Sequence, residues 1–164
     1  PAVENGGFEE MLPESAVPTA WYYGRQMEIV TADDAAAGSR YLRLENDDPG
    51  RPAQVFQGFP VDGRVVSRLS VSATLRGERL RAGFSADEAP SIAVRFFDEQ
   101  RSRSTETRLG PWGGTFAWKP VEGTLPVPTW AREAILQVGL RGGTGRLEAD
   151  EIAVKAAEIR PKAR

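Results

Sequence analysis

The side chains able to do chemistry in this 164-residue chain are carboxylates, arginines and aromatic rings; it has no histidine and no cysteine. Without an imidazole or a thiol, neither a Ser-His-Asp nor a Cys-His arrangement can be assembled, and the usual zinc sites lose their ligands. "GFSAD", Gly83 to Asp87, lacks the second glycine of a nucleophile elbow. "WGGTF" and "RGGTG" lack the spacing of a phosphate-cradling loop. Two carboxylates can hydrolyse a glycoside without histidine. A strand reading E-x-D-x-E would aim its acids into one cleft, but "EADEIA" supplies Glu148 and Asp150 and then Ile152 where the last acid is required. No catalytic residue is assigned.

The aromatics suggest a different chemistry. A saccharide is apolar on its faces and hydrogen-bonding at its edges, so a sugar site needs flat rings beside planar polar groups. Trp112 in "GPWGG" is flanked by turn residues and is the first candidate for a stacking ring. A loop tryptophan folded down over the core is the alternative. In the run Trp21, Tyr22, Tyr23, strand alternation buries only part, and Tyr22 is the exposed ring if its neighbours face inward. Trp118 and Trp130 lie in or beside strand patterns and are expected in the core.

The elements that position these groups are strands. In "RLSVSATLRG", Leu69, Val71, Ala73 and Leu75 alternate with polar residues; "SIAVRFFDEQ" sets Ile92, Val94 and Phe96 against Ala93, Arg95 and Phe97. Arg95 and Phe97, with Arg68 and Arg76, thus lie opposite the apolar rows, where a sheet can present a groove or only a solvated surface. "RQMEIVTA", "RYLRLEN", "AQVFQGFPV", "TFAWKPVEGTLPV", "AILQVGLRG" and "RLEADEIAVKA" are further strands, separated by turn signals such as "DDPGRP", "RGERL" and "GPWGG". "ADDAAAG" has helical propensity but spans under two turns. The pattern predicts one all-β domain, an antiparallel β-sandwich of the jelly-roll kind, over residues 1–157, with 158–164 as a tail or linker. The formal charge of −2 offers no basic field for nucleic acid or an anionic membrane surface.

The order "NGGFEE", "AAAGSRYLRL", "IAVRFFDEQ", "FAWKPVEGTLPVP", "AILQVGLRGGTGRLEADEIAV" resembles bacterial carbohydrate-binding modules of the galactose-binding-like jelly-roll type over nearly the whole chain. Asn5, Gly7, Phe8 and Glu9 match the opening of that family, Gly38, Ser39 and Leu42 its second motif, and Asp150, Glu151 and Ile152 its closing acidic strand, with Glu151 departing from the second Asp. The resemblance implies a noncatalytic module of a larger secreted protein, extracellular or periplasmic, with a polysaccharide or oligosaccharide as partner and other domains of the same polypeptide beside it. It also implies a structural calcium held by Glu9, Asp150 and backbone carbonyls near the Gly38–Ser39 strand. Asp33 or Asp34 would add an oxygen, Asp34 being nearer that motif. Alternation carried back from Val154 through Ile152 sets Asp150 among apolar residues, where an unpaired carboxylate is expensive, so it needs a partner of some kind. Without an ion, Glu9 would cap a turn or pair with an arginine, and Asp150 likewise. The ligand-binding candidates are Trp112, Tyr22, Arg95 and Phe97. A spacer or protein-docking domain and a small glycoside hydrolase are the alternative functions.

Overall fold

The computed structural model describes residues 1–162. Ten strands follow one another: β1 Tyr22–Arg25, β2 Met27–Thr31, β3 Arg40–Asn46, β4 Gln54–Pro60, β5 Val66–Arg81, β6 Ser91–Phe97, β7 Ser104–Leu109, β8 Gly114–Pro126, β9 Glu133–Gly139 and β10 Thr144–Ile159. They form two five-stranded sheets, ordered β1-β4-β9-β6-β7 and β2-β3-β10-β5-β8, with antiparallel pairing throughout. No helix occurs among the described residues, and no helix is long and apolar enough to cross a membrane. The architecture is the all-β antiparallel sandwich that the alternation predicts.

The core lies between the sheets. Val55, Phe59, Ile92, Val94, Phe96, Leu136 and Val138 enter it from the first, and Leu42, Leu44, Leu69, Val71, Leu75 and Leu147 from the second. Each such burial contributes roughly 1.5–3 kcal/mol, so these rows fix the register that decides which residues face outward.

Several sequence expectations shift in position. "RGERL" is no turn: β5 runs through it to Arg81, and the irregular register between Gly77 and Leu80, with Arg79 at φ 50°, absorbs the disruption. β7 carried no clear alternation, and its outward residues are held by polar contacts rather than by an apolar row. The last strand continues past Ala157, pairing Glu158 with Arg68 and Ile159 with Val66. Arg160 then donates to the carbonyls of Gly63 at 2.7 Å and Val127 at 2.8 Å, so the chain is anchored through residue 160, and the last two positions of the expected tail lie outside the described residues.

Tyr23 does not turn inward. Its φ of 55° and the irregular register between Tyr22 and Arg25 break the alternation, leaving Tyr22 60% and Tyr23 79% exposed, while Trp21 is buried against Phe8. Trp118 is not a core residue either: it lies edge-on to Tyr41 and under the Arg76 guanidinium, 4.6 Å from its ring centre. Trp130 is half-buried against the core, with Arg103 over its ring.

Candidate functional site

Two features of the outer surface gather chemistry. The first is a groove of about 350 Å³ across the outward face of the first sheet. Its plan follows from the register. One row across the strands is Tyr22, Phe56, Gln137 and Ala93, the next is Gly58, Ile135, Arg95 and Glu106, and the third is Pro60, Glu133, Phe97 and Ser104. Small side chains at Gly58 and Ala93 leave the floor low while aromatic rings rise at both sides. Gly58 is not demanded by the backbone: its φ is not positive, and a Cβ there would meet nothing closer than the Ala134 carbonyl oxygen at 3.8 Å. The open floor is thus a property of the outward surface, not of the packing beneath.

Polar groups stand beside the rings in fixed orientations. Arg101 lies over Phe97 at 5.2 Å from the ring centre and pairs with Glu133. Glu106 takes Arg141 at 2.7 Å and Arg95 at 3.2 Å, and Gln137 donates to Gln54 at 2.9 Å while accepting from Arg141. Exposed rings next to planar, oriented donors and acceptors are what a saccharide face and edge require.

Of the four ligand-binding candidates, the fold brings Tyr22, Arg95 and Phe97 into this groove and sets Trp112 apart. Trp112 is half-buried against the core, its backbone N–H donating to the Pro90 carbonyl, its ring across Gly110. Sequence reasoning missed Phe56, Gly58, Glu106, Glu133, Ile135 and Gln137. In β4 the cue was masked because Gln57 faces inward, where it exchanges hydrogen bonds with the Glu4 backbone at 2.7 and 2.9 Å, while apolar Phe56 faces out.

The second feature joins the two ends of the chain. Asn5 organises "NGGFEE" by accepting from the Glu10 N–H and donating to the carbonyls of Glu10 and Thr19. Phe8 is driven into the core at φ 57°. Gly6 accepts from the Ile152 N–H at 3.0 Å and sits so close to β10 that a Cβ would lie 1.9 Å from the Ile152 carbonyl oxygen. At this contact β10 carries a bulge: Asp150 opposes Thr74 and Ala153 opposes Ser72, so one residue is extra, and Glu151 takes φ 53°. The inward row changes parity there, from Leu147 and Ala149 to Ile152 and Val154. Alternation carried back from Val154 therefore reached a correct conclusion, a buried Asp150, by a route the bulge breaks.

Glu9 and Asp150 meet the same loop. Glu9 accepts from the N–H groups of Ser39 at 2.8 Å and Arg40 at 3.0 Å and from the Ser39 hydroxyl at 3.2 Å. Although burial pushes its carboxyl up, those donors, those of Arg40 and Ser39 backbone first, hold it below the ordinary value. Asp150 accepts from the N–H groups of Ala37 at 3.0 Å and Glu151 at 2.9 Å but has no arginine or lysine partner among the described residues. Burial foremost, reinforced by the charges of Glu151 and Glu9, pushes its carboxyl up to about 6. The three acids border Gly7, where a Cβ would lie 3.2 Å from Glu151 Oε1, 3.7 Å from Asp150 Oδ1 and 3.9 Å from Glu9 Cγ.

Asp34, the third expected metal ligand, is engaged elsewhere and is corrected. Its carboxylate takes Arg76 at 3.1 Å and the Tyr41 hydroxyl at 3.2 Å, and its carbonyl accepts from the Trp118 indole. Arg76 also joins Arg43 on the buried Glu148, at 2.7 and 2.9 Å, so this cluster is satisfied by its own charges. Glu151 is the acid that stands beside Glu9 and Asp150. The hard oxygens here suit a calcium ion. No three acidic side chains among the described residues form a cluster able to hold a metal alone, so backbone carbonyls would have to complete the shell.

No protein-family model and no curated protein sequence matches the chain. Solved structures share its fold at low sequence identity. The enzymatically active domain of tailspike protein 4 of bacteriophage CBA120 superposes with a TM-score of 0.61 at 14% identity, covering 93% of this chain and only 21% of the tailspike chain. The CBM22-1 xylan-binding domain from Paenibacillus barcinonensis Xyn10C gives 0.57 at 14% identity, over 93% of this chain and 92% of its own. A cyclase from Fischerella sp. TAU gives 0.55 at 14% identity, over 95% and 97%. Carbohydrate-binding modules of families 4, 16, 22 and 61 recur among the similar structures, and the chain has their antiparallel two-sheet jelly-roll fold.

Proposed function

We propose that this chain is a noncatalytic carbohydrate-binding module of a larger extracellular or periplasmic protein, and that a polysaccharide or oligosaccharide lies in the groove of the first sheet. The observation that carries this reading is the pairing of two exposed rings, Tyr22 and Tyr23, and two half-buried ones, Phe56 and Phe97, with oriented planar groups on Arg95, Gln137 and Glu106 in one open trough. An open trough suits a length of chain rather than one enclosed sugar. A binding role is favoured over hydrolysis because the acids of the groove are both taken up by arginines, Glu106 by Arg95 and Arg141 and Glu133 by Arg101. Glycoside hydrolysis instead uses two opposed carboxyls with room to exchange a proton.

A structural calcium belongs to the same proposal. Asp150 with Glu9 or Glu151 would hold it, together with backbone carbonyls of the N-terminal turn and the loop before β3, tying the first residues to the last strand. Its role there would be structural, since the groove lies on the other sheet.

Affinity electrophoresis through gels of xylan, β-1,4-galactan and mixed-linkage glucan tests the glycan reading. Retardation in at least one gel is expected, and Tyr22→Ala should weaken it by about 1 kcal/mol or more with unchanged melting, Phe97→Ala by as much with some loss of stability because that ring is half-buried under Arg101. Migration unaffected by every polysaccharide would leave a spacer domain, and release of reducing ends would make the chain an enzyme.

A further inference from the structure

The β7 end of the groove holds more positive charge than its one acid neutralises. Glu106 is shared by Arg141 at 2.7 Å, Arg95 at 3.2 Å and Arg108 at 3.7 Å. None of these three arginines has another carboxylate partner among the described residues, which leaves an excess of two positive charges there, in a chain whose formal charge is −2. Exposure decides which of them a ligand meets. The Arg95 side chain is 43% exposed and stands in the groove beside Phe97, whereas Glu106 is 19% exposed. The opposite end, at Tyr22 and Tyr23, presents rings without charge. Arg101 differs from Arg95, because Glu133 balances it one to one.

Resting on the groove as the glycan site, we propose that its ligand is an acidic glycan, a chain containing uronic acids, with a sugar carboxylate against Arg95 and the pyranose faces on the rings toward β1. A guanidinium presents paired N–H donors in a plane, matching the two oxygens of a carboxylate, and such charge-assisted bonds are roughly twice as strong as neutral ones. The surplus at Glu106 lets Arg95 turn toward a ligand without stripping that acid of its partners, since Arg141 and Arg108 remain. A neutral polymer would leave the surplus unused.

The test is calorimetry with three acidic probes, oligogalacturonate, oligomannuronate and glucuronoxylan oligosaccharides, each against its methyl-esterified counterpart. At least one free acid should bind roughly tenfold more tightly than its ester, the size of one charge-assisted contact, with the gap narrowing as salt is raised. Arg95→Gln should erase that gap by weakening the free acid more than the ester, with the melting temperature near wild type; the exposed side chain makes a folding failure unexpected. Gly58→Leu should weaken binding of acid and ester alike, by about 30- to 150-fold. Equal binding of acids and esters, both weakened in Gly58→Leu, would overturn the charge inference and leave the groove reading intact. Equally tight retention of dextran sulfate would show charge attraction without carboxylate recognition and would also overturn it. Binding of neither acids nor neutral polysaccharides would overturn the inference together with the reading it rests on.

Discussion

Gly58→Leu separates a binding groove from a merely solvated sheet, because it is expected to move stability and affinity in opposite directions. Gly58 sits mid-strand on β4, faces outward, pairs across from Ile135 and has no backbone conformation that needs glycine. A glycine inside a strand costs roughly 0.5–1 kcal/mol relative to alanine through chain entropy. A cross-strand pair with Ile135 on the same face would contribute a further 0.2–1 kcal/mol or so. The variant should therefore be about 1 kcal/mol more stable, raising the melting temperature by about 2–4 °C for a chain of this size. The same side chain would stand on the low floor of a groove of about 350 Å³, between the rings of Phe56 and Phe97. A ligand lifted off both would lose roughly 2–3 kcal/mol, or about 30- to 150-fold in affinity. Gly58→Ala should share the gain in stability with a smaller loss of affinity. The assay is differential scanning calorimetry alongside titration with whichever glycan retards the wild-type chain. Wild-type affinity in Gly58→Leu would refute the groove as the site. A melting temperature several degrees lower would refute the claim that nothing beneath the surface requires glycine.

The remaining expectations concern the acid cluster and the displaced tryptophan. Because the folded state raises Asp150 from 3.8 to about 6, the metal-free protein binds that proton more tightly folded than unfolded; the resulting stability is fully present below about pH 4 and lost as the pH rises through 6, a difference of about 3 kcal/mol. Melts of wild type and Asp150→Asn in chelator should converge on acidification and separate toward neutral pH, with the variant the more stable there; Glu9, held below its ordinary value, acts with the opposite sign in both proteins and cancels in the comparison. With calcium the order should reverse, since ion binding adds RT ln(1 + [L]/Kd) only where ionised ligands remain, and melts that ignore both chelator and pH would sink the calcium assignment. Trp112→Ala should destabilise by about 3 kcal/mol, the low end for removing a large ring because this one is only half-buried, while leaving glycan affinity unchanged; lost affinity at full stability would return Trp112 to the binding surface.

Much of the sandwich was legible because a buried face imposes a period of two. The clean rows of β5 and β6 announce themselves, and Arg95 and Phe97 follow as outward residues by parity alone. Parity failed where the backbone leaves the regular strand. Tyr23 at φ 55° carries its side chain away from the face that alternation assigns, Glu151 at φ 53° marks the bulge where the inward row of β10 changes parity, and no apolar pattern encodes either in advance. β4 was legible as a strand, but its outward face was not, because Gln57 is buried by a partner, the Glu4 backbone, 53 residues away in sequence.

By itself, then, the amino-acid order determined the class of the fold, the absence of histidine and cysteine chemistry, and the acid beside an apolar anchor at each end of the chain, since these depend on residue type and local period. Only the tertiary structure decided which acid keeps company with Glu9 and Asp150, which aromatic lies in the groove, and where positive charge is left over. Asp34 lies near Ser39 in sequence yet is held by Arg76 of β5, Trp112 stands among turn residues yet packs on the core, and Glu106 collects arginines from β6, β7 and the turn after β9. Partners of this kind are set by sheet order and register, which bring together residues that no spacing along the chain relates.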